Sequence, residues 1–495
     1  MTRHERIKQP REYLNASSTL TGENAVMPII VSNGSLASYQ AENAQESAVE
    51  ALVTGEPGSP TYQWQGVCWY RRTLEIPADS AGKKVFLKFD GAMNVADVFL
   101  DGEPLGTHLG GYLPFVFDIT DRVRPGADHL LAVRLDNTDN AITGPKPLAI
   151  LDFNMYGGLY RHVHLIVKDR LHITDPIHAD RIAGGGVFVR YPEVAPEQAV
   201  ILVRTHVRND YDESRRFLIH HALIDERGHA VYQTQRPHIE IAAHDSMDVE
   251  LELRMATPSL WSPRSPNLYT LRTEIRSGGA FVDGFMDPAS MVDRVDTRIG
   301  IRRISITPER GFEINGEPMF LRGTNRHQEY PYIGYAVPDA AQWRDAKRIK
   351  EAGFDYVRLS HYPQSPAFMD ACDELGLVVM NAIPGWQYFG DDPGFTLYQY
   401  RNVRELIRRD RNHACVALWE VSLNETAMPA EFVAEQMRQV GRFFAPQAAR
   451  KSHISCTCGS HAALTICEVP FTVSALRMKF SVVVTEAYSS HIRVD

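Results

Sequence analysis

Residues 407–426 read IRRDRNHACVALWEVSLNET, and this stretch decides how the rest of the chain is interpreted. A charged helix end and turn lead into an apolar run from Cys415 to Trp419, which has the length and side-chain type of a buried parallel strand. Asn424 and Glu425 follow that run. Because residues just past the carboxyl ends of parallel strands form the active face of a barrel, Glu425 is the leading catalytic candidate. The alternative is that Glu425 only caps the next helix, since Asn-Glu-Thr before an apolar run is ordinary cap chemistry.

The alternation of strand and helix extends upstream to residue 301. There are three strand-like runs in this part of the chain. The first ends in residues Arg322 to His327, the second is FDYVRLSHYP (354–363) and the third is LVVMNAIPGW (377–386). Between the first two runs, DAAQWRDAKRIKEAGF (339–354) carries apolar residues at helical spacing. Consecutive strand and helix units of this kind favour a parallel (β/α)₈ barrel. A doubly wound nucleotide-binding fold is the competitor, but no GxGxxG or P-loop follows any strand.

After residue 445 the alternation becomes irregular. SHISCTC, ALTICEVPF and FSVVVTEAYSS are apolar enough for three further strands, whereas the helices between them are weak or absent. The 195 residues from 301 to 495 fall below the roughly 200 to 250 residues of a full barrel. The sequence therefore predicts a barrel that is incomplete at its C-terminal end.

The N-terminal part of the chain predicts β structure. Residues 61–170 and 171–300 consist of short alternating runs separated by turn residues, which is typical of two β-sandwiches, the second of immunoglobulin type. Residues 1–60 have no strong period and are interpreted as a poorly defined lead-in. The predicted fold class is multidomain β plus α/β, with residues 301–495 as the barrel.

Composition excludes several classes of function. A net charge of −9 and a pI near 6.1, without a basic stripe, oppose nucleic-acid binding. No segment approaches the length of a membrane span, and the polar start MTRHERIKQPREYLNASS lacks the apolar core of an export signal, so a cytoplasmic chain is expected if this start is the true one. The six cysteines lie mostly in apolar strings and are interpreted as buried reduced thiols. No cofactor is predicted.

Several motifs occur together in one order. They are FDGAMNVADVFLDG (89–102), GGLYRHV (157–163), NRHQEY (325–330), VRLSHYP (357–363), ACDELGLVV (371–379) and RDRNHACVALWEVSLNE (409–425). Together they resemble glycoside hydrolase family 2, the group of β-galactosidases, β-glucuronidases and β-mannosidases. The resemblance implies a jelly-roll-like sugar-binding sandwich, an immunoglobulin-like sandwich and a catalytic TIM barrel.

The resemblance also implies roles for individual residues. Glu425 is similar to the family's general acid/base, and Asn424 to the residue that contacts the 2-hydroxyl of the sugar. Arg358 and His361 match an arginine and a histidine at a strand end near the site. Asp152 matches the acid that the sandwich inserts toward the substrate, although by its sequence alone it is interpreted as a solvated acid on a surface turn.

Two further motifs contribute to the implied site. Asn325, Arg326 and His327 match the first-strand motif. The segment MNAIPGWQYFG (380–390) departs from the acidic version that supplies a metal ligand in some relatives, and Trp386 offers a sugar-stacking face there. No metal ligand is therefore predicted.

Retaining glycosidases need a second carboxylate as nucleophile. VVVTEAY (482–488) has the form of an apolar run that ends in Glu beside an aromatic residue, so Glu486 is the candidate and Glu468, in TICEVPF, a weaker rival. Glu486 is alternatively a plain strand-end residue. The first hypothesis is a retaining β-glycosidase, most similar to a β-galactosidase, that acts on a carbohydrate. Self-association is also expected, because chains with two exposed sandwiches often form oligomers. The second is an inactive or truncated carbohydrate-binding relative that lacks a nucleophile.

Overall fold

The computed structural model describes residues 51–54, 63–143, 153, 155–278, 281–282, 285–286, 291–307, 309–331, 333–385, 388–422, 428–444 and 464–466. These residues divide into two compact units. Unit 1 comprises residues 1–172 with the segment 329–337, and unit 2 comprises residues 173–328 and 338–495. Within the described residues, no helix is long and apolar enough to cross a bilayer.

Unit 1 is an antiparallel β-sandwich. Its strands are β1 (Ala51–Thr54), β2 (Gln63–Glu75), β3 (Lys84–Phe89), β4 (Val95–Leu100), β5 (Glu103–Leu109), β6 (Phe115–Asp118), β7 (Asp128–Asp136) and β8 (Val163–Lys168). One sheet has the order β1-β2-β7-β4-β5 and the other β6-β3-β8. The core contains Leu87, Phe89, Val98 and Leu135 from both sheets. Asp101 and Gly102 form the turn between β4 and β5, and both adopt the positive φ that such a turn needs, of 52° and 86°.

The first part of unit 2 is the immunoglobulin-like sandwich. Its strands follow β9 (Leu171–Ile173) and are β10 (Val187–Val194), β11 (Gln198–Asn209), β12 (Arg215–Ile224), β13 (Ala230–Ile241), β14 (Ser246–Ala256), β15 (Tyr269–Ser277), β16 (Phe281–Val282), β17 (Phe285–Met286) and β18 (Met291–Ile299). The larger sheets have the orders β10-β11-β14 and β13-β12-β15-β18. Buried and exposed residues alternate along β14, as expected of a sheet with one solvated face.

The rest of unit 2 is the TIM-barrel domain. Its elements are β19 (Ile304–Thr307), β20 (Gly311–Ile314), β21 (Glu317–Pro318), β22 (Gly323–Arg326), α1 (Asp339–Glu351), β23 (Tyr356–Leu359), α2 (Pro366–Leu375), β24 (Val378–Ala382), α3 (Pro393–Asp410), β25 (Val416–Glu420), α4 (Ala430–Phe444) and β26 (Leu464–Ile466). Strands β22 to β25 are parallel neighbours joined by helices, which confirms the predicted βα alternation. Strand β26 lies within the predicted run ALTICEVPF, but it pairs antiparallel to β25.

The central strand differs by one residue from its prediction. β25 spans Val416–Glu420 rather than Cys415 to Trp419, and all five of its residues are buried. The Cys415 N–H donates to Asp373 Oδ1 (2.7 Å) rather than to a neighbouring strand. The shift makes Glu420 the last residue of the strand, at the edge where a barrel carries its chemistry.

Candidate active site

The register of the parallel strands brings polar residues to one edge of the sheet. Asn325 of β22 lies beside Arg358 of β23, and Ala382 of β24 lies beside Glu420 of β25. The residues of this edge that the argument uses are His327, Arg358, His361 and Glu420, which we call the strand-end cluster. They come from the ends of different parallel strands, as catalytic residues do in barrels of this kind.

Arg358 and Glu420 form the strongest polar contact of the strand-end cluster. Arg358 Nη2 donates to Glu420 Oε1 at 2.6 Å, and Arg358 Nε donates to Oε2 at 2.9 Å and to Oε1 at 3.1 Å. The Glu420 side chain is 3% exposed and that of Arg358 16%. A bidentate pair with this burial holds both groups in one orientation. Arg358 Nη1 also lies 3.5 Å from Ser360 Oγ.

His361 is held as a neutral imidazole. Burial, the positive charge of Arg358 and the neighbouring His327 together lower its pKa to about 3, with burial as the largest cause. The two imidazole rings stand nearly perpendicular, with centroids 5.9 Å apart. A neutral histidine at this place can exchange hydrogen bonds with a hydroxyl-rich ligand without adding charge.

Tyr362 orients His327. The Gln328 N–H and His327 Nδ1 both lie 3.2 Å from the Tyr362 hydroxyl oxygen. The Tyr362 hydroxyl therefore holds the His327 ring and the backbone that follows it at the same time. Tyr362 is fully buried, so the group that orients His327 is itself fixed.

The first-strand motif divides its residues between two roles. Arg326 is buried and donates to Gln364 Oε1 (2.5 Å), Gln342 Oε1 (2.7 Å) and Asp345 Oδ2 (2.8 Å), so it braces β22 against α1 and the start of α2. His327, one residue later, faces His361 instead. The structure therefore places His327 with the strand-end cluster and gives Arg326 a packing role.

The loop after β24 lies close to His361. The Gly385 N–H donates to the His361 carbonyl oxygen at 2.9 Å. The strand itself ends at Ala382, earlier than the predicted end at Trp386, and the Ile383 N–H donates to the Glu420 carbonyl oxygen at 3.1 Å. The chain immediately before Trp386 therefore runs beside the strand-end cluster.

Several predicted site residues lie outside the described residues. They are Asp152, Trp386, Asn424, Glu425 and Glu486, and the rival Glu468. Their roles stay predictions. Of the predicted set, the structure describes Arg358, His361 and His327 and brings them together.

Sequence reasoning missed Glu420. The signal was present, because an acid at the end of an otherwise apolar buried strand requires a partner. That partner, Arg358, lies two strands away in the sheet. Local patterns do not reveal a pairing over this separation.

One group of possible metal ligands occurs among the described residues, formed by Asp373, His413 and Cys415. Asp373 Oδ2 accepts from His413 Nδ1 at 2.7 Å, and Oδ1 accepts from the Cys415 N–H at 2.7 Å. Burial raises the pKa of the Cys415 thiol well above its usual range, which opposes the thiolate that a metal needs. These residues fit a buried ion pair rather than a metal site. The described cysteines, Cys68, Cys372 and Cys415, are free and buried, as predicted.

Comparison with known proteins identifies the family of each domain. Residues 37–169 match the sugar binding domain of glycosyl hydrolases family 2, residues 186–302 match a second model of that family, and residues 304–445 match its TIM barrel domain.

Individual relatives agree with the family models. The chain is 33% identical over 371 residues to a β-galactosidase of Thermoanaerobacter pseudethanolicus, covering 74% of this chain and 46% of the relative. It is 30% identical over 376 residues to a β-glucuronidase of Formosa agariphila, covering 74% and 37%. The chain thus spans about half or less of the length of these relatives.

Solved structures share the fold. The crystal structure of a Bacteroides uniformis β-glucuronidase aligns with a TM-score of 0.68 at 29% identity, covering 77% of this chain and 45% of that one. A putative β-galactosidase from Bacteroides fragilis aligns with a TM-score of 0.70 at 25% identity, covering 86% and 62%. From its three domain matches and their order, this chain belongs to glycoside hydrolase family 2.

Proposed function

We propose that the chain acts as a retaining β-glycosidase that hydrolyses O-glycosidic bonds, with β-galactosides as its substrates. The observation that carries the proposal is the strand-end cluster, in which Arg358, His361 and His327 converge with Glu420 at the carboxyl edge of the parallel strands. Membership of a glycoside hydrolase family supports a carbohydrate substrate. The β-galactosidase of Thermoanaerobacter pseudethanolicus supports the choice of sugar.

The proposed reaction is a double displacement. Glu486 attacks the anomeric carbon, while protonated Glu425 gives its proton to the leaving oxygen, so that a glycosyl-enzyme forms and the aglycone departs. Glu425 then removes a proton from a water molecule that attacks the anomeric carbon, the bond to Glu486 breaks, and the sugar leaves with its configuration retained. This chemistry requires the two carboxyl groups to lie about 5 to 5.5 Å apart.

Other residues would position the sugar. Asn424 would contact the 2-hydroxyl, Trp386 would stack on the ring and Asp152 would contact the substrate. His361, as a neutral ring, would exchange hydrogen bonds with hydroxyl groups, in keeping with its low pKa, and His327 would do so beside it.

The proposal is tested by hydrolysis of chromogenic β-glycosides by wild type, Glu425→Gln, Glu486→Gln and Glu468→Gln. We expect wild type to cleave the β-galactoside, both Glu425→Gln and Glu486→Gln to lose most of this activity, and Glu468→Gln, at the weaker rival for the nucleophile, to keep it. Full activity of Glu486→Gln beside an inactive Glu425→Gln would reject Glu486 as nucleophile.

The second candidate function is an inactive carbohydrate-binding relative. Binding of a β-galactoside without hydrolysis of any β-glycoside would select this function over the first.

A further inference from the structure

The strand-end cluster is balanced in charge. The Arg358 guanidinium is positive, and the nearly buried Glu420 carboxylate that accepts three hydrogen bonds from it is negative. A bidentate contact at 2.6 and 2.9 Å places the two charges as close as side chains allow. Arg358 therefore brings almost no net positive charge to the space above the strands.

Two other basic groups described at this edge, Arg326 and His361, do not change that balance. Arg326 is compensated by Asp345 at 2.8 Å and lies below the surface. His361 is neutral, because burial, Arg358 and His327 together hold its pKa at about 3. Within the described part of the barrel, a ligand at the strand-end cluster thus meets an ion pair, the neutral ring of His361 and the second imidazole of His327.

This balance discriminates between two classes of β-glycoside. A β-galactoside is uncharged and needs only hydrogen bonds from such a site. A β-glucuronide carries a carboxylate that loses hydration on entry and needs an uncompensated cation in return. Glu420 already occupies the guanidinium edge that would form a two-point contact with that carboxylate, and its negative charge repels a second one.

We propose that Glu420 is a specificity-determining residue that, by neutralising Arg358, directs the site to uncharged β-glycosides and against β-uronides. The inference rests on the proposed function for its catalytic readout, and it deepens that function by naming a residue that determines the substrate class. Specificity of this kind comes from an element that disfavours the wrong ligand as well as from contacts to the right one.

A purely structural role for Glu420 predicts something different. Removing a buried partner destabilises the fold and lowers activity toward every substrate by the same factor. A specificity role changes the ratio between substrates, because removing the carboxylate exposes the charge of Arg358 to the ligand. The quantity to measure is therefore the ratio of activity toward the galactoside to activity toward the glucuronide.

The experiment compares wild type, Glu420→Gln and the control Glu374→Gln in the full chain. Glu374 accepts from Arg298 Nη1 at 2.6 Å, so its substitution removes the acidic partner of an arginine outside the strand-end cluster. The kcat/KM values are measured for 4-nitrophenyl β-galactoside and 4-nitrophenyl β-glucuronide. Binding of the uncleavable phenylthio-β-galactoside and phenylthio-β-glucuronide is measured by calorimetry, so that the result does not depend on catalysis.

We expect wild type to prefer the galactoside in both assays. In Glu420→Gln the galactoside-to-glucuronide ratio falls by about tenfold or more, and adding Arg358→Gln abolishes this gain for the glucuronide. Glu374→Gln keeps the wild-type ratio. Glu420→Asp, which retains the charge, also keeps the galactoside preference.

Three outcomes overturn the inference: a wild type that prefers the glucuronide, a ratio unchanged in folded Glu420→Gln, or a wild type that binds neither thioglycoside. If wild type binds the galactoside analogue selectively but cleaves neither substrate, the proposed hydrolase fails while the inference stands. If Glu420→Gln does not fold, the preference of wild type and of Glu420→Asp still decides, because a glucuronide preference in either contradicts the proposal.

Discussion

Asp373 holds His413 and the start of the central strand at the same time. Its Oδ2 accepts from His413 Nδ1 and its Oδ1 from the Cys415 N–H, both at 2.7 Å. Asp373 is buried, and its backbone carbonyl oxygen accepts from Trp261 Nε1 at 2.8 Å. One helix residue thereby joins α2, strand β25 and the connection between β14 and β15.

Replacing Asp373 by Asn should destabilise unit 2 strongly. The substitution leaves the half-buried His413 cation without its negatively charged partner, and breaking an ion pair with a buried member from one side costs about 3 to 5 kcal/mol. Urea unfolding followed by tryptophan fluorescence measures this loss. Asp79→Asn, which removes an exposed pair with Lys83, serves as the control and should change stability by less than about 1 kcal/mol. Equal stability of Asp373→Asn and wild type would contradict this account of the ion pair.

The same ion pair predicts a pH dependence. Burial by itself would lower the pKa of His413, but Asp373, Asp410 and Asp370 raise it to about 9. A histidine whose pKa is higher in the folded state than in the unfolded state stabilises the protein fully below about pH 6.5, and this stabilisation is lost as the pH rises toward 9. The stability difference between wild type and His413→Gln should therefore shrink from pH 6 to pH 9. A stability difference that grows from pH 6 to pH 9 would show that folding lowers the pKa of His413 instead of raising it.

Tyr335 anchors the segment 329–337 within unit 1. Its buried ring lies 5.0 to 6.1 Å, between centroids, from those of Tyr112, Tyr156 and Tyr160. Tyr335→Ala removes a large core ring and should cost about 3 to 5 kcal/mol. We expect faster hydrogen exchange and faster proteolysis in 329–337.

The control for Tyr335→Ala is Phe320→Ala, because the Phe320 side chain is 76% exposed. That variant should keep the wild-type exchange rates. Unchanged protection of 329–337 in Tyr335→Ala would mean that other contacts hold the segment.

Two glycines that follow helices allow the cost of backbone strain to be measured apart from the cost of a steric clash. Gly353 and Gly376 both have positive φ, of 86° and 70°. A Cβ on Gly376 would lie 2.7 Å from the Pro263 carbonyl oxygen, whereas a Cβ on Gly353 meets nothing within 4 Å. Gly353→Ala should cost about 1 to 2 kcal/mol from φ alone, and Gly376→Ala about 1 to 3 kcal/mol more. Equal destabilisation by chemical unfolding would show that the Pro263 segment moves aside.

The parts of the fold that local physics determines were predictable. The helix of residues 339–351, predicted from apolar residues at helical spacing, appears in the structure. Asp101-Gly102 and Asn315-Gly316 are dipeptides typical of turns, and all four residues adopt the positive φ that such turns need. The order of parallel strands followed from the alternation of strand and helix.

The parts that depend on distant contacts were not predictable from local patterns. The partner of Glu420 is 62 residues away in the sequence, and the bracing role of Arg326 depends on residues of α1 and of the start of α2. His361 is recognisable as polar from the sequence, but its low pKa arises from burial and from Arg358 and His327. Which arginine is neutralised, and which histidine is uncharged, therefore emerges only from the fold.

The most direct test of the proposed hydrolase is trapping of the glycosyl-enzyme with an activated 2-deoxy-2-fluoro-β-galactoside, followed by mass mapping of the labelled peptide. We predict that the chain gains the mass of one fluorosugar, that the label lies on the peptide containing Glu486, and that Glu486→Gln gains none. A chain that stays unlabelled and cleaves no β-glycoside would contradict the account.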